Sequence, residues 1–181
     1  MIYFNNDYSE GCHPAVLDAL IRTNLEQTPG YGEDPYCSRA AEKIRKLCGR
    51  EDLYVQFLVG GTQTNLTVIA AALRPHQGAL GPEGAHINVH ETGAVEATGH
   101  KVVAVEGVEG KVTPQDIRAA VAYHEDEHMV KPKMVYISNS TEIGTIYYKK
   151  ELEAIMKELH IKPMLYHLLH ESRSGEKRTE A

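Results

Sequence analysis

Residues 53–73 read LYVQFLVGGTQTNLTVIAAAL. An apolar run over 53–59 stops at Gly60-Gly61-Thr62, and an apolar, helix-prone segment follows over 64–73. A near-continuous apolar run suits a parallel strand buried on both faces. The segment after it then reads as a helix covering that sheet. Parallel α/β sheets bind ligands at the carboxyl ends of their strands. A helix N-terminus placed there offers free N–H groups and a partial positive charge. Glycines let the backbone approach an anion closely, and a threonine hydroxyl adds a hydrogen bond. Gly60, Gly61 and Thr62, with Gln63 beside them, therefore read as a phosphate cradle. The competing reading is a tight turn whose glycines serve geometry alone. No Gly-Lys-Ser/Thr follows, which excludes a nucleoside-triphosphate loop, and the third glycine of the dinucleotide fingerprint is missing.

The pattern repeats on both sides of this join. HPAVLDALIRTNLEQ carries Val16, Leu17, Leu20, Ile21 and Leu25 at helical spacing, with Pro14 near the start. TPGYGEDPY reads as a loop, and CSRAAEKIRKLCG as a helix stopped by Gly49. AHINVH reads as a short strand, TGAVEAT as a short helix and HKVVAVE as a strand. TPQDIRAAVAYHEDE has a full start signal: Thr113 to cap, Pro114 in the first turn and Asp116 facing the dipole. KMVYISN reads as a strand, and KKELEAIMKELH as an amphipathic helix with Leu152, Ile155, Met156 and Leu159 inward. Strand followed by helix, several times over, predicts a three-layer α/β/α sandwich with a mostly parallel sheet.

Composition narrows the function classes. The 181 residues are 42% hydrophobic and 24% charged, ordinary for a globular chain. The formal net charge of -6 argues against nucleic acid as a partner, because phosphate-backbone binding runs on clustered Lys and Arg. MIYFNNDYSE shows no signal peptide, and no apolar run approaches the roughly 20 residues of a membrane helix. Cys12, Cys37 and Cys48 are odd in number and match no zinc spacing, so reduced thiols in a cytoplasmic protein are expected. The sequons at Asn65 and Asn139 read as chance.

Three stretches in order, YGEDP at 31–35, VGGTQTNLTVIAAAL, and HINVHETGAVEATGHKV, resemble the threonine aldolase and β-eliminating lyase family. The resemblance runs from about residue 4 to about residue 159 and implies part of the large domain of the aspartate-aminotransferase-like fold. It implies pyridoxal 5'-phosphate as cofactor, a small amino acid as substrate, and cleavage of β-hydroxy amino acids such as threonine to glycine and acetaldehyde. It also implies a homo-oligomer, dimer or tetramer. Residue by residue, Asn6 stands where the family has a serine near the phosphate. Gly60, Gly61 and Thr62 match the phosphate-binding segment. His86 matches the imidazole that stacks on the pyridine ring, and Glu91 an acid close to the cofactor. Tyr31, Glu33 and Asp34 match a loop near the active site and the subunit contact. The cofactor ring takes up electrons from the bond being cleaved, while a base such as His86 or His90 removes the β-hydroxyl proton.

The chain also departs from the family. A gapless placement sets HESR, 170–173, against the family's Asp-Gly-Ala-Arg, so that Arg173 matches while His170 replaces the acid that pairs with the pyridine nitrogen. The catalytic lysine would fall beyond Ala181. The expectation is a partial large domain over 1–165, an atypical disordered tail over 166–181, and a truncated chain that is inactive alone. The alternative is a non-catalytic remnant or pairing module. A metal protein is a third reading, on His86/His90 and His124/His128. In a strand, however, His86 and His90 would lie about 13 Å apart, too far for one ion.

Overall fold

The computed structural model describes residues 11–161 and 165–169. By their contacts they fall into two compact units, one ending at Phe57 and one beginning at Leu58.

The first unit carries two helices. Helix α1 spans Pro14–Thr23 and α2 spans Pro35–Cys48. The limits of α2 follow from its end residues. Asp34 caps it, accepting hydrogen bonds from the Tyr36 and Cys37 N–H groups, and Pro35 takes the first position, where no N–H is needed. Gly49 closes it in the left-handed region, φ 63°. On α1 the expected apolar stripe forms, but Val16, Leu17, Leu20 and Ile21 are all exposed, and Leu25 lies past the helix end.

The run 53–59 is not a strand. It pairs with no neighbour among the described residues, and Tyr54 and Val59 are 85% and 96% exposed. Apolar content alone does not make a strand; a ladder partner is needed for the backbone groups. The strand of this region is Gln77–Pro82, which we label β1.

The second unit contains, in chain order, α3 (Gly61–Ala72), β1, α4 (His86–Val89), α5 (Ala94–Ala97), β2 (Val102–Val105), α6 (Pro114–Tyr123), β3 (Lys131–Ser138), α7 (Lys149–Ile161) and β4 (Leu165–Leu169). AHINVH is thus a helical turn and not a strand. The tail expected from residue 166 begins as β4, paired in register with β3 through Leu169; residues 170–181 lie outside the described residues. The order in the sheet is β2-β1-β3-β4, all parallel.

Alternation along the strands sorts the core onto two faces. Leu80, Val103, Val135 and Ile137 pack with Ile117 and Ala120 of α6 and Ile155 and Leu159 of α7. Ala79, Val102, Met134 and Tyr136 pack on the other face with Ile69, Leu73, Ala85, Ile87 and Val95. This is the α/β/α layering expected from the alternating pattern. Met156 of α7 does not point inward as expected but is 37% exposed. Helix α6 starts with the full capping box between Thr113 and Asp116. Arg118 on α6 reaches buried Glu158 on α7 at 2.6 Å, joining the two helices on that face.

Gly78 shows why β1 takes glycine. A Cβ there would sit 2.6 Å from the Lys101 carbonyl oxygen and 2.9 Å from Val130 Cγ1. Gly78→Ala must therefore shift backbone where β1 meets the start of β2, and we expect a loss of about 1–3 kcal/mol in urea denaturation. An unchanged midpoint would show that the ladder yields freely.

Candidate functional site

Strand β1 is central, with its onward connection running to β2 on one side and the chain returning to β3 on the other. The carboxyl ends of β1 and β3 thus flank the point where strand order reverses, where open α/β sheets bind ligands. A cavity of about 40 Å³ lies there, lined by Pro82, Ala85, Ser138, Thr141 and Ile143 among others.

His86 follows β1 by four residues and opens α4. Its Nδ1 lies 2.8 Å from Glu91 Oε1. The same oxygen accepts a 2.5 Å hydrogen bond from Asn65 Nδ2, in the second turn of α3. Asn65 is fully buried, and the Glu91 side chain is 0% exposed against 26% for His86. Glu91 Oε2 is buried and has no hydrogen-bond partner among the described residues. A buried carboxylate oxygen left unpaired costs free energy.

Because 86–90 is a helical turn, His90 is close to His86. Their ring centroids are 5.5 Å apart and tilted by 55°. The strand reading that separated them by some 13 Å is corrected by the helix. His90 is exposed. His124 is buried with Nδ1 on the Ala120 carbonyl at 2.8 Å, a helix-end contact, and His128 is exposed. Among the described residues no group of three or more His, Cys, Asp or Glu side chains converges as a metal site.

Gly60 and Gly61 sit at the start of α3. Gly60 is extended, φ -169° and ψ 168°, a conformation open to any residue. Gly61 is the first helical residue, and a Cβ on either glycine would meet nothing within 4 Å. Neither conformation nor crowding by the described residues demands glycine at either position. Gly60 provides no side-chain cap, and the Gln63 amide turns back to accept from the Val59 N–H at 2.9 Å. The N–H groups of the first turn therefore have no side-chain cap. Thr62 is half-buried beside them.

Tyr31, Glu33 and Asp34 belong to the first unit. Tyr31 adopts φ 61° and is 98% exposed, and Glu33 is exposed. Asp34 serves as the α2 cap. The Cys37 thiol and backbone N–H, with the Tyr36 N–H, hold its carboxyl below the ordinary 3.8. A lowered folded-state pKa adds stability that is complete above the unfolded value and is lost as pH falls through the lowered one. The wild-type urea midpoint should accordingly fall, relative to Asp34→Asn, as pH is taken below about 3.8; parallel pH profiles for the two proteins would rule this out. Asn6 and Arg173 lie outside the described residues.

Sequence reasoning missed Asn65 as a site residue. It appeared only as a sequon, yet it lies one helical turn before fully buried Ile69, on the inward face. A polar side chain on the buried side of a helix needs a partner, and that was the signal available.

Residues 7–163 match the family described as beta-eliminating lyase. Over 154 residues the chain is 32% identical to low-specificity L-threonine aldolases of a Pseudomonas species and of Pseudomonas aeruginosa, covering 84% of this chain and 44% of each of them. The structure of a threonine aldolase from Leishmania major superimposes with a TM-score of 0.88 at 48% identity, over 90% of this chain and 48% of that one. The chain spans less than half the length of these relatives. Among the described residues no helix is long and apolar enough to cross a membrane.

Proposed function

The chain belongs to the beta-eliminating lyase family, and from that premise we propose that it forms the cofactor-phosphate and ring-stacking part of a pyridoxal 5'-phosphate-dependent lyase acting on β-hydroxy amino acids, threonine to glycine and acetaldehyde. The observation that carries the reading is the glycine pair at the α3 N-terminus, which nothing among the described residues requires. Unpartnered Glu91 Oε2 beside His86 supports the same fit. In this reading Gly60, Gly61 and Thr62 bind the cofactor phosphate through backbone N–H groups, the Thr62 hydroxyl and the helix dipole. His86 supplies a flat ring for stacking, and Glu91 holds that ring by Nδ1.

When bound, pyridoxal phosphate supplies an electron sink for the Cα–Cβ bond. The protein's share is to orient the amino acid and to move one proton. An imidazole of the His86–His90 pair takes the β-hydroxyl proton as the aldehyde leaves, the general-base role that histidine fills most often. Tyr31, Glu33 and Asp34 match the family's substrate loop by sequence alone.

Titrating pyridoxal phosphate into the purified chain, followed by absorbance and by phosphorus NMR, tests the reading. Saturable 1:1 binding is expected. No binding at millimolar cofactor would overturn it. Coupled detection of acetaldehyde from threonine then measures the lyase step.

Self-association is part of the same proposal. Val16, Leu17, Leu20 and Ile21 of α1 expose 49–66% of their surface as one apolar stripe, of the kind that interfaces cover. Light scattering should find a homo-oligomer, dimer or tetramer; a monomer at high concentration would contradict it. Free Cys12, Cys37 and Cys48 support a reducing, cytoplasmic setting.

A further inference from the structure

We propose that Asn65 is a positioning residue that fixes the tautomer of His86 through the shared oxygen of Glu91. The proposal rests on the site reading above and adds to it a residue and a protonation pattern.

The Asn65 amide nitrogen can only donate, so Glu91 Oε1 is an acceptor in that 2.5 Å contact. A carboxyl hydroxyl oxygen is a much weaker acceptor than a carbonyl or carboxylate oxygen, so accepting from Asn65 favours Oε1 as the oxygen without a proton. The 2.8 Å contact between the same Oε1 and His86 Nδ1 then has a single solution: the proton sits on Nδ1 and is donated to the carboxylate. Without the Asn65 donor, Oε1 could itself carry a proton and donate it to Nδ1, which would leave the imidazole proton on Nε2. Free histidine favours the proton on Nε2, so this arrangement reverses the intrinsic preference. The hydrogen bond made by one ring nitrogen sets the state of the other, and the Nε2 lone pair of neutral His86 is left available at the site.

Burial makes the constraint firm. Asn65 is 0% exposed and the Glu91 side chain is 0% exposed, so no solvent competes for Oε1. The chain of contacts begins in α3, the helix whose first turn carries Gly61 and Thr62. Phosphate end and ring end of the site are thus joined by one helix and three side chains.

The test needs no cofactor. The full chain is labelled with nitrogen-15 at histidine, and two-bond proton–nitrogen correlations are recorded near pH 8. His86 is assigned by its loss in His86→Phe. In the wild type, His86 is expected to show a protonated Nδ1 and a bare Nε2. Asn65→Leu, similar in volume, fills the space but removes the donor, and His86 should shift toward the Nε2-protonated or averaged pattern. A residue that merely fills space would leave the pattern as it was. A wild-type His86 with bare Nδ1 overturns the proposal by itself, even if Asn65→Leu does not fold. An unchanged pattern in folded Asn65→Leu overturns it as well. Pyridoxal phosphate titration of the wild type reads the cofactor assignment separately, so the two can fail independently.

Discussion

Gly61→Asp is expected to yield a protein that resists urea slightly better than the wild type and no longer binds pyridoxal phosphate. The two effects have opposite signs because they arise from different properties of one position. Gly61 is the first residue of α3 and has open space where a Cβ would be. Replacing glycine in a helix recovers up to about 1 kcal/mol of propensity, and an acid in the first turn gains roughly 0.3–1 kcal/mol from the dipole. The same carboxylate then occupies the approach of the phosphate and repels it. Two unit charges at about 4 Å interact by about 4 kcal/mol at a surface-like dielectric. Allowing half of that for solvent screening leaves roughly a 30-fold loss of affinity, before steric exclusion is counted. Gly61→Ala separates the parts: it keeps the gain in stability and loses only the closeness of approach. Calorimetric titration beside urea denaturation measures both. If Gly61→Asp binds as the wild type does, the phosphate does not sit at this turn.

Tyr136→Ala is expected to cost about 3–5 kcal/mol, a large share of the roughly 5–15 kcal/mol that holds a typical domain together. Tyr136 is fully buried in β3 and heads the largest buried side chains, on the face shared with Ile87 and Val95. Its removal leaves a cavity that the surrounding strands cannot close without losing their register. Tyr136→Phe keeps the ring and gives up the 3.1 Å contact between the hydroxyl and Ser138 Oγ, worth about 1 kcal/mol. Urea midpoints of the pair separate ring packing from the polar contact. Similar losses for both would mean that the hydroxyl, not the ring, carries the effect.

The elements legible in the sequence are those whose ends carry chemistry of their own. The capping box of Thr113 and Asp116 and the stop at Gly49 are local signals, and α6 and α2 begin and end where those signals lie. Strand β1 was not legible. QGALGP contains two glycines and a proline and looks like a turn, because its burial depends on backbones coming close at Gly78 and not on apolar side chains. Residues 53–59 err the other way, with the composition of a strand and no partner to pair with. Helix α4 has four residues, too few for a 3.6-residue period to differ from alternation. The site shows the same division. His86 and Glu91 were found through motifs that lie together along the chain. Asn65 meets Glu91 across 26 residues, and only the fold brings the two together.

The two-faced packing of β3 has a bearing on how this protein can change. His86, Glu91, Asn65 and the glycine turn all hang from the layer that packs against Met134 and Tyr136. The helices across the sheet touch the alternate residues Val135 and Ile137 and contribute none of these groups. Substitutions among Ile117, Ile155 and Leu159 reach the chemistry only by displacing the strand between. That far layer is a reservoir in which sequence can drift, and stability be raised or lowered, while the geometry around His86 stays where the near layer holds it.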